Sequence, residues 1–492
     1  MCVLTLECGN YVRCGQCASG GKSAVCYLLA LDEMRQPAGL SRERIRLARR
    51  PAASSETKET LLQSMLLTRQ ALSLRPNPAR VVVRPFQPAT EPRELNRTDK
   101  RRANHVVDRV LALDPKTADE LLADVMESFE GRHRNLAASF EARANDMEEV
   151  FAAHNTFGRT QRQLVGAFFM NEYSFESAAL FNPSIVAHPD QSGVPSGALR
   201  FILSLRAVGE GHISSVTFRS GVVASDGTVS VDPTAHLACI PQLREPQQRG
   251  VVADHIDVVF TSDEDISERV IFPITASQCN GIEDARFVEF NEGGQRTYYA
   301  TYTAYSGKSI RSELVETTDF KSFRMTPLKG SAARNKGMAL FPRKFNGRYA
   351  MIGRQDNERL YLIYSDDLYS WGEGVGLLEP QFPWEFVQIG NCGSPIELDE
   401  GWLLLTHGVG PVRRYSIGAA LLDKTDPSKV LGRCSEPLLQ PELSDREGYV
   451  PNVLYTCGAL RHHDRIILPY AVSDTYCTFA TIEIPKLIRA MQ

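Results

Sequence analysis

The sequence lacks several features that would assign it to a common class of protein. Its 492 residues carry a formal net charge of −4, so no overall positive field argues for binding to nucleic acid. No apolar run reaches the roughly 18 residues that a membrane-spanning helix needs. The start of the chain has neither the basic region nor the apolar core of a secretory signal. We therefore expect neither nucleic acid nor a membrane among its partners.

Motifs for metals and nucleotides are also scarce. Cys14 and Cys17 have the CxxC spacing of a zinc site, with Cys8 and Cys26 nearby, but no second CxxC or His pair follows at ligand spacing. No GxGxxG fingerprint follows a strand-like run. The six cysteines from Cys239 to Cys477 are single and scattered, which is typical of reduced thiols in a cytosolic protein. We predict a cytoplasmic protein without a metal or an organic cofactor.

The chain divides into three regions by texture. Residues 1–64 have little periodicity and include a stretch rich in Arg and Ser, so we expect a disordered leader, with Met65 as a plausible start. Residues 65–163 are expected to be helical. There Asp114 and the following proline form a helix start, and apolar residues recur at helical spacing as far as Phe129. We predict a helical extension that packs on the main domain or joins subunits of a homo-oligomer.

Residues 164–492 read as almost entirely β. Strand-like runs alternate with polar turns, and Asn346-Gly347 between two apolar runs is a strong hairpin signal. About 320 residues are too many for one sandwich and fit radial repetition of four-stranded sheets, about 64 residues per blade. We predict a mainly β fold, a five-bladed β-propeller. The predicted strands are Leu199–Ala207, Ser214–Ser220, Asp257–Thr261, Phe287–Phe290, Arg296–Ala304, Tyr349–Arg354, Leu360–Ser365, Gly401–His407, Arg465–Val472 and Cys477–Ile484.

The most informative stretch runs from Asn280 to Glu289. It holds an acid pair, Glu283 and Asp284, then one small residue and Arg286, at the head of an apolar run. A carboxylate at a strand end beside a guanidinium can be positioned for proton transfer to a ligand. The alternative is a solvated ion pair without function.

Several separated motifs resemble glycoside hydrolase family 130, whose members act on β-mannosides. The resemblance covers roughly residues 175–485, and the motifs stand in the family's order. They are Phe181-Asn182-Pro183-Ser184, Gly281-Ile282-Glu283-Asp284-Ala285-Arg286, Tyr302-Thr303-Ala304-Tyr305, Asn335-Lys336-Gly337-Met338-Ala339-Leu340-Phe341-Pro342, Tyr364-Ser365-Asp366-Asp367-Leu368, Gly393-Ser394-Pro395-Ile396 with His407-Gly408, and Val450-Pro451-Asn452-Val453 with Cys457-Gly458.

The resemblance implies a five-bladed propeller and an inverting mechanism with one enzymic acid, which matches Asp284 as proton donor. Glycosidic cleavage needs a protonated leaving oxygen, and a carboxylic acid that stays neutral near pH 7 supplies it. Glu283 and Arg286 would set its environment, because a neighbouring acid raises a carboxyl pKa and an Arg lowers it. In phosphorylase members of the family, Lys, Arg and His side chains hold phosphate, and Lys336, Arg354 and His407 match those positions.

One segment departs from the family. Gly211-His212 stands where phosphorylases carry Ser-Arg, which weakens a phosphate site. A water nucleophile would instead need a carboxylate base, for which Glu176, Glu210 and Glu283 are the alternatives. Tyr305 or Trp384 could stack on a sugar ring. The predicted substrate-binding residues are Asn182, Arg206, His212, Arg286, Tyr305, Asp356, His407 and Asp474.

Three functions remain open at this point. The first is an inverting glycosidase that hydrolyses short β-1,2-linked mannooligosaccharides from one end. The second is a β-mannoside phosphorylase that releases mannose 1-phosphate, with inorganic phosphate as co-substrate. The third is a propeller that binds carbohydrate without catalysis. Each has a small oligosaccharide as its partner.

Overall fold

The computed structural model describes residues 66–86, 102–147, 158–244, 254–261 and 263–491. Within these ranges the protein is mainly β with few helices. No helix there is both long enough and apolar enough to cross a bilayer. The expected leader, residues 1–64, lies outside the described residues, and so do the four cysteines of its CxxC region.

The part before residue 170 contains two strands as well as helices. We predicted a helical extension over residues 65–163, and four helices lie in its described part from Arg102 onward. The first two elements are strands, however, because they pair with chain segments that are distant in sequence and that local periodicity does not reveal. These elements are β1 (Leu67–Leu74), β2 (Val82–Pro85), α1 (Arg102–Leu111), α2 (Pro115–Phe129), α3 (Leu136–Asp146) and α4 (Arg159–Phe168).

Helix α2 begins as the sequence predicts. The Asp114 carboxylate caps it by accepting a 3.1 Å hydrogen bond from the Thr117 N–H, and Pro115 occupies the first turn. The helix ends at Phe129, shortly before Gly131, whose φ of 73° is left-handed. The helices share an apolar cluster that includes Val107, Val110, Ala144, Leu164 and Phe169, so they pack as one small layer.

The rest of the chain forms antiparallel units, which we number in chain order. The first unit has β4, β5, β6, β7 and β10, the second β8, β9 and β11–β14, the third β15–β18, the fourth β19–β23, and the fifth β1 with β24–β27. The strand β3 pairs with β2. Their bounds are β3 (Met170–Tyr173), β4 (Ala179–Ala187), β5 (Leu199–Val208), β6 (Ser214–Val223), β7 (Val229–Val231), β8 (Gln242–Leu243), β9 (Ile256–Val259), β10 (Val270–Ile271), β11 (Gly281–Glu292), β12 (Gln295–Tyr305), β13 (Ile310–Thr317), β14 (Ser322–Pro327), β15 (Ala339–Leu340), β16 (Tyr349–Gly353), β17 (Leu360–Ser365), β18 (Val375–Leu378), β19 (Gln388–Asn391), β20 (Ile396–Glu397), β21 (Trp402–Val409), β22 (Tyr415–Leu422), β23 (Val430–Arg433), β24 (Leu454–Tyr455), β25 (Leu460–His462), β26 (Arg465–Val472) and β27 (Tyr476–Glu483), followed by helix α5 (Ile484–Met491).

The first two units are joined into one sheet by a single parallel pair, Gly281 with Ser214. The third unit contains the predicted hairpin. Asn346 and Gly347 both have positive φ, 49° and 81°, and Phe345 and Arg348 exchange backbone hydrogen bonds of 2.8 and 3.0 Å across the turn. The Asn-Gly turn therefore forms where the sequence places it and fixes the register of β15 against β16.

Apolar clusters fill the spaces between successive units. Phe218 of β6 packs edge to face against Phe287 of β11, with ring centroids 6.0 Å apart, between the first and second units. Phe341 packs in the same way on Trp402, at 5.2 Å, between the third and fourth. Phe201 of β5 contacts Phe479 of β27, at 6.3 Å, so the fifth unit also packs on the first. These contacts pack the first unit against the second and the fifth, and the third unit against the fourth.

Candidate functional site

Two β-bulges in neighbouring strands form the centre of the site. The pairing of β4 with β5 shifts between Phe181 and Ser184, and the pairing of β11 with β12 shifts between Glu283 and Arg286. Each bulge contains one left-handed residue, Asn182 with φ 49° and Asp284 with φ 55°. Asn and Asp tolerate this conformation better than other L-residues. A bulge turns a side chain out of the normal alternation, so both side chains can meet between the strands.

Asp284 is buried, and two neighbours hold its carboxylate. The Asn182 amide donates a 2.7 Å hydrogen bond to Asp284 Oδ1. Arg206 approaches the same oxygen at 3.3 Å and binds Glu283 Oε1 at 2.8 Å, so one guanidinium joins both carboxylates. Lys336 Nζ lies 3.7 Å from the other Glu283 oxygen. The structure thus brings four other predicted site residues together around the Asp284 carboxyl group.

A second layer lies next to Asp284 on the side of Arg286. Arg286 donates one hydrogen bond to the Asp284 backbone carbonyl at 3.2 Å and another to the Tyr455 hydroxyl at 2.8 Å. The ring of His407 packs edge to face on Tyr455, with centroids 4.9 Å apart. Gly390 makes room for this imidazole, since a Cβ there would lie 2.2 Å from His407 Cε1. Arg354 interacts electrostatically with both Arg286 and Asp284.

Several buried polar atoms of this site have no hydrogen-bond partner within the described part of the chain. They are the Nε atoms of Arg206, Arg286 and Arg354, and the Asn182 carbonyl oxygen. An unsatisfied buried donor or acceptor costs free energy unless a ligand or water completes it. Three guanidinium donors and one acceptor fit a ligand that presents both anionic oxygens and hydroxyl groups.

Electrostatics lower the pKa of the central acid. Burial alone raises the pKa of Asp284, but the charges of Arg206, Arg286 and Lys336 and the hydrogen bond from Asn182 outweigh it, so the pKa lies below its usual value. We expected a carboxyl group that stays neutral near pH 7. The cations around this carboxyl group instead favour its ionised form, and an anion bound among them would oppose that effect.

A second carboxyl group, Asp474, behaves in the opposite way. Burial, followed by the negative charge of Asp284, raises the pKa of Asp474 to about 7, although Arg206 and Arg413 oppose the shift. Asp474 has a left-handed φ of 47° in the turn between β26 and β27. Near neutral pH it is therefore partly protonated and can donate a hydrogen bond as well as accept one.

The imidazole of His407 is neutral at pH 7. Burial, together with the positive charges of Arg354 and Arg286, holds the pKa of His407 well below its usual value. Burial also lowers the pKa of Arg354, but a guanidinium stays charged in proteins. The cations of the site are hence the arginines and Lys336, and His407 contributes a neutral hydrogen-bonding group.

Glu176, one of the three expected bases, lies away from Asp284. It is 0% exposed and makes ion pairs with Arg80 at 3.1 Å and with Arg219 at 3.0 Å. Two buried guanidinium groups neutralise this carboxylate and hold it in place, so it ties the segment after β1 to the first unit. Its position corrects the interpretation of Glu176 as a base for a water nucleophile.

Four other expected residues do not join the cluster. Glu210 is exposed in the loop between β5 and β6, and Tyr305 donates its hydroxyl to the Gly307 carbonyl at 3.3 Å. The carboxylate of Asp356 caps its own turn, accepting a 2.8 Å bond from the Arg359 N–H. Trp384 is buried and packs on the backbone of Gly408 and Gly418 rather than facing a ligand. These residues form turns and core contacts.

His212 lies at the exposed edge of the site, where its Nδ1 is hydrogen-bonded to the hydroxyl of Tyr449. Sequence reasoning missed Tyr449, Tyr455 and Arg413. Tyr455 follows closely on the Val450–Val453 motif, so its position could have been inferred. Arg413 stands three residues after Gly410, just as His212 stands three residues after Gly209, and this shared spacing was the available signal.

Within the described ranges, no group of three or more His, Cys, Asp or Glu side chains is arranged to hold a metal ion. A buried carboxyl group beside several cations can exchange a proton with a bound ligand and contribute to an anion site.

Comparisons with known proteins point in one direction. A family model described as beta-1,4-mannooligosaccharide phosphorylase matches residues 254–492. The 1,2-beta-oligomannan phosphorylase of Thermoanaerobacter sp. (strain X514) is 35% identical over 217 residues, which are 43% of this chain and 72% of that protein. The Beta-1,2-mannobiose phosphorylase of Listeria innocua is 32% identical over 243 residues, covering 47% of this chain and 65% of that protein.

A solved structure is also similar. The Beta-1,2-Mannobiose phosphorylase from Listeria innocua, in complex with beta-1,2-mannobiose, aligns with a TM-score of 0.47 and 22% identity. The alignment covers 64% of this chain and 92% of that chain.

Proposed function

Since this chain belongs to glycoside hydrolase family 130, we propose that it cleaves β-mannosides by phosphorolysis and releases mannose 1-phosphate. The observation that carries this proposal is the set of cations around Asp284. Arg206, Arg286 and Arg354 each have an unpartnered buried Nε. Lys336 adds a fourth positive charge beside Glu283. A dianion needs this kind of charge-assisted donor set.

Among the described residues, none of the three glutamates considered as bases is both unpaired and placed beside Asp284, which supports phosphate over water as the nucleophile. Inverting hydrolysis needs a second carboxylate that activates water on the opposite face of the sugar. Glu176 is held between two arginines, and Glu210 is exposed on a loop. Glu283 is paired with Arg206 and Lys336. Phosphate needs no such base, because it is already a nucleophile at neutral pH.

In the proposed reaction a phosphate oxygen attacks the anomeric carbon of the mannosyl group, and the bond to the leaving oxygen breaks. Asp284 delivers a proton to that oxygen. The proton that the attacking HPO₄²⁻ loses replaces the one from Asp284, so the products are mannose 1-phosphate and a free alcohol. Asn182, Arg206 and Asp474 would hold the sugar hydroxyls, with the free Asn182 carbonyl as an acceptor.

The electrostatics of Asp284 couple these two half-reactions. Arg206, Arg286 and Lys336 lower the pKa of Asp284. A phosphate bound among the cations would offset their charge and raise that pKa toward the value a proton donor needs. In this proposal Asp284 becomes protonated, and so able to act as an acid, only when phosphate is bound.

We also propose that the five units close into a five-bladed propeller. The apolar contact of Phe201 with Phe479 between the first and fifth units supports this arrangement. So does the backbone hydrogen bond from Cys457 N to the Pro183 carbonyl at 2.8 Å, which joins the same two units. A cavity of about 200 Å³ lined by β4, β11, β20 and β25 would be the opposite mouth of the central channel.

Hydrolysis remains the second candidate, and one observation favours it. His212 stands where the phosphorylases of this family are expected to carry an Arg, and it is bonded to Tyr449 instead of facing the cations. Loss of one guanidinium weakens a phosphate site.

The deciding experiment is incubation with β-1,2-mannobiose in the presence and absence of inorganic phosphate. We expect mannose 1-phosphate and mannose in equal amounts with phosphate, and no release of sugar without it. Release of two mannoses at the same rate in both conditions would replace phosphorolysis by hydrolysis. Binding of the disaccharide without turnover in either condition would contradict both and leave a carbohydrate-binding role.

A further inference from the structure

Two loops at the edge of the site have the same conformation although they come from different units. The loop after β5 runs Gly209-Glu210-Gly211-His212, and the loop after β21 runs Gly410-Pro411-Val412-Arg413. In the first, φ is 68° and 60° at the last two residues, and in the second it is 56° and 54°. In each loop the glycine N–H closes the turn onto the carbonyl four residues ahead, at 3.3 and 2.9 Å. The repeat places His212 and Arg413 at equivalent positions.

The first loop is held rigidly from below. The buried Tyr173 donates its hydroxyl to the Glu210 carbonyl at 2.8 Å and approaches the Ile213 carbonyl at 3.2 Å. A Cβ at Gly209 would lie 2.7 Å from that hydroxyl, so only glycine allows this close approach. Burial raises the pKa of Tyr173 to about 12, so the hydroxyl keeps its proton at neutral pH and remains a donor. The position of His212 is thus fixed by the core.

Tyr449 is fixed independently to the turn that carries Asp474. Its backbone N–H donates a 2.7 Å hydrogen bond to Thr475 Oγ1, and that hydroxyl donates in turn to the Ser473 carbonyl at 2.9 Å. The Tyr449 hydroxyl then meets His212 Nδ1, and the two rings lie 5.6 Å apart between centroids. Two rigid supports therefore hold one aromatic pair.

This pair has a free surface next to the reacting groups. Tyr449 is 45% exposed, and it interacts electrostatically with Arg206 and Asp474. Of the cations proposed for phosphate, Arg286 lies in β11 of the second unit, and Lys336 and Arg354 flank β15 and β16 of the third. His212 and Tyr449 belong to the first and fifth units, and among those cations only Arg206 comes from either of these two. A mannosyl group seated against buried Asp284 would leave the rest of its chain pointing toward these exposed rings. An aromatic face with a polar edge suits the apolar and hydroxyl faces of a sugar.

We propose that the His212–Tyr449 pair binds the leaving-group sugar and sets which acceptor or chain the enzyme accepts. This inference rests on the proposed cleavage of β-mannosides. Arg413, at the equivalent position in the second loop, interacts electrostatically with Asp474. The ligand class is the sugar, or short mannooligosaccharide, attached to the scissile oxygen.

The test compares two substrates in the variants Tyr449→Ala, Tyr449→Phe and His212→Ala. β-1,2-Mannobiose has a sugar as leaving group. β-Mannosyl fluoride has a single atom there and reaches no residue at the edge of the site. We expect both alanine variants to lose about tenfold more kcat/KM on the disaccharide than on the fluoride, mainly through KM, which is the size of effect of one lost hydrogen bond. Tyr449→Phe keeps the ring and should fall between wild type and Tyr449→Ala.

Leu443→Ala is the matched control, because Leu443 is 81% exposed in a neighbouring short turn and should not change the ratio between the substrates. Equal losses on both substrates would overturn the inference and assign the pair a structural role, and an unchanged ratio without any loss would also overturn it. Failure of the proposed function looks different, since wild-type protein would then turn over neither substrate. Water in place of phosphate as nucleophile would leave the inference intact.

A second readout is the reverse reaction from mannose 1-phosphate. Wild type should use mannose as acceptor with a higher kcat/KM than the other free sugars of a panel. If the pair selects the acceptor, Tyr449→Ala should reduce the ratio of these kcat/KM values by about tenfold. An unaltered order and spacing of acceptors in the variant would contradict the assignment.

Discussion

Asn182 and Asp284 are the left-handed residues of two bulges, one in β4 of the first unit and one in β11 of the second, and the Asn182 amide donates a 2.7 Å hydrogen bond to the Asp284 carboxylate. The two residues share a backbone conformation, but their side chains have different chemical roles. The amide fixes the carboxyl group and still has a free carbonyl oxygen for a ligand. In a bulge of this kind the backbone conformation itself aims the functional side chain. A short side chain placed in this way has less freedom than a long one with several rotatable bonds.

Replacement of this amide tests the arrangement. We expect Asn182→Ala to lower kcat/KM on β-1,2-mannobiose by about ten- to a hundredfold, because it removes a donor to Asp284 and an acceptor for the sugar. Asn346→Ala is the control, since Asn346 has the same φ of 49° in a surface hairpin and carries the same backbone strain. Similar kinetic losses in the two variants would show that strain, and not the contact, explains the effect.

The role of Asp284 as proton donor predicts a dependence on the leaving group. Asp284→Asn should reduce turnover of β-1,2-mannobiose by about a thousandfold, the usual contribution of general acid catalysis. On β-mannosyl fluoride the loss should be about tenfold or less, because fluoride departs without a proton. Glu283→Gln should affect both substrates alike, since Glu283 is paired with Arg206 and Lys336. If the Asp284→Asn protein is folded but loses turnover equally on both substrates, Asp284 is not the proton donor.

The lowered pKa of Asp284 predicts that phosphate changes the pH profile. The acid must be protonated, so activity falls as pH rises through its pKa. Arg206, Arg286 and Lys336 lower that pKa, so bound phosphate should raise it. The alkaline limb of the kcat profile should then lie at higher pH than the alkaline limb of the kcat/KM profile. Lys336→Met removes one cation, so the alkaline limb of its kcat/KM profile should also move to higher pH, and its KM for phosphate should rise. Limbs that coincide at all phosphate concentrations would contradict the coupling.

Local features of this site could be predicted from the sequence, and long-range ones could not. The acid pair and Arg286 share one strand, so their proximity follows from the motif itself. The Asn346-Gly347 turn formed as expected because its conformation is dictated by two adjacent residues. The pairing of β1 with β27 joins residues about 400 positions apart, such as Leu67 with Ile482, and no local period encodes it.

The same reason explains the position of Glu176. Its two arginine partners, Arg80 and Arg219, precede and follow it at large sequence separation, so the chain alone presents an unpaired glutamate that resembles a base. Its burial is decided by tertiary packing. Trp384 is likewise a residue type that often stacks on sugar rings. Here its indole instead packs inside the fold against the backbone of Gly408 and Gly418.

Asp474 should make stability depend on pH. Its pKa is about 7 in the folded protein and near 3.8 when unfolded, so the folded state binds its proton more tightly. Stability from this group is hence greatest at low pH and declines as pH rises from about 4 to about 7, by up to about 4 kcal/mol. Asp474→Asn cannot ionise. We expect the unfolding temperature of the variant, relative to wild type, to rise from pH 5 to pH 8. A constant difference would show that Asp474 is ionised throughout.

The buried pairs of Glu176 predict a stability effect without a change of nucleophile. Glu176→Gln leaves the guanidinium groups of Arg80 and Arg219 without a counter-charge, so the free energy of unfolding should fall by about 3 kcal/mol in urea titrations. Asp399→Asn, which breaks an exposed pair with Arg461, should change it by less than about 1 kcal/mol. At low temperature, where the Glu176→Gln protein is still folded, sugar release should keep the phosphate dependence of wild type. If the substitution abolished hydrolysis and left stability unaltered, Glu176 would be the base that the sequence suggested, and the ion pairs would be incidental.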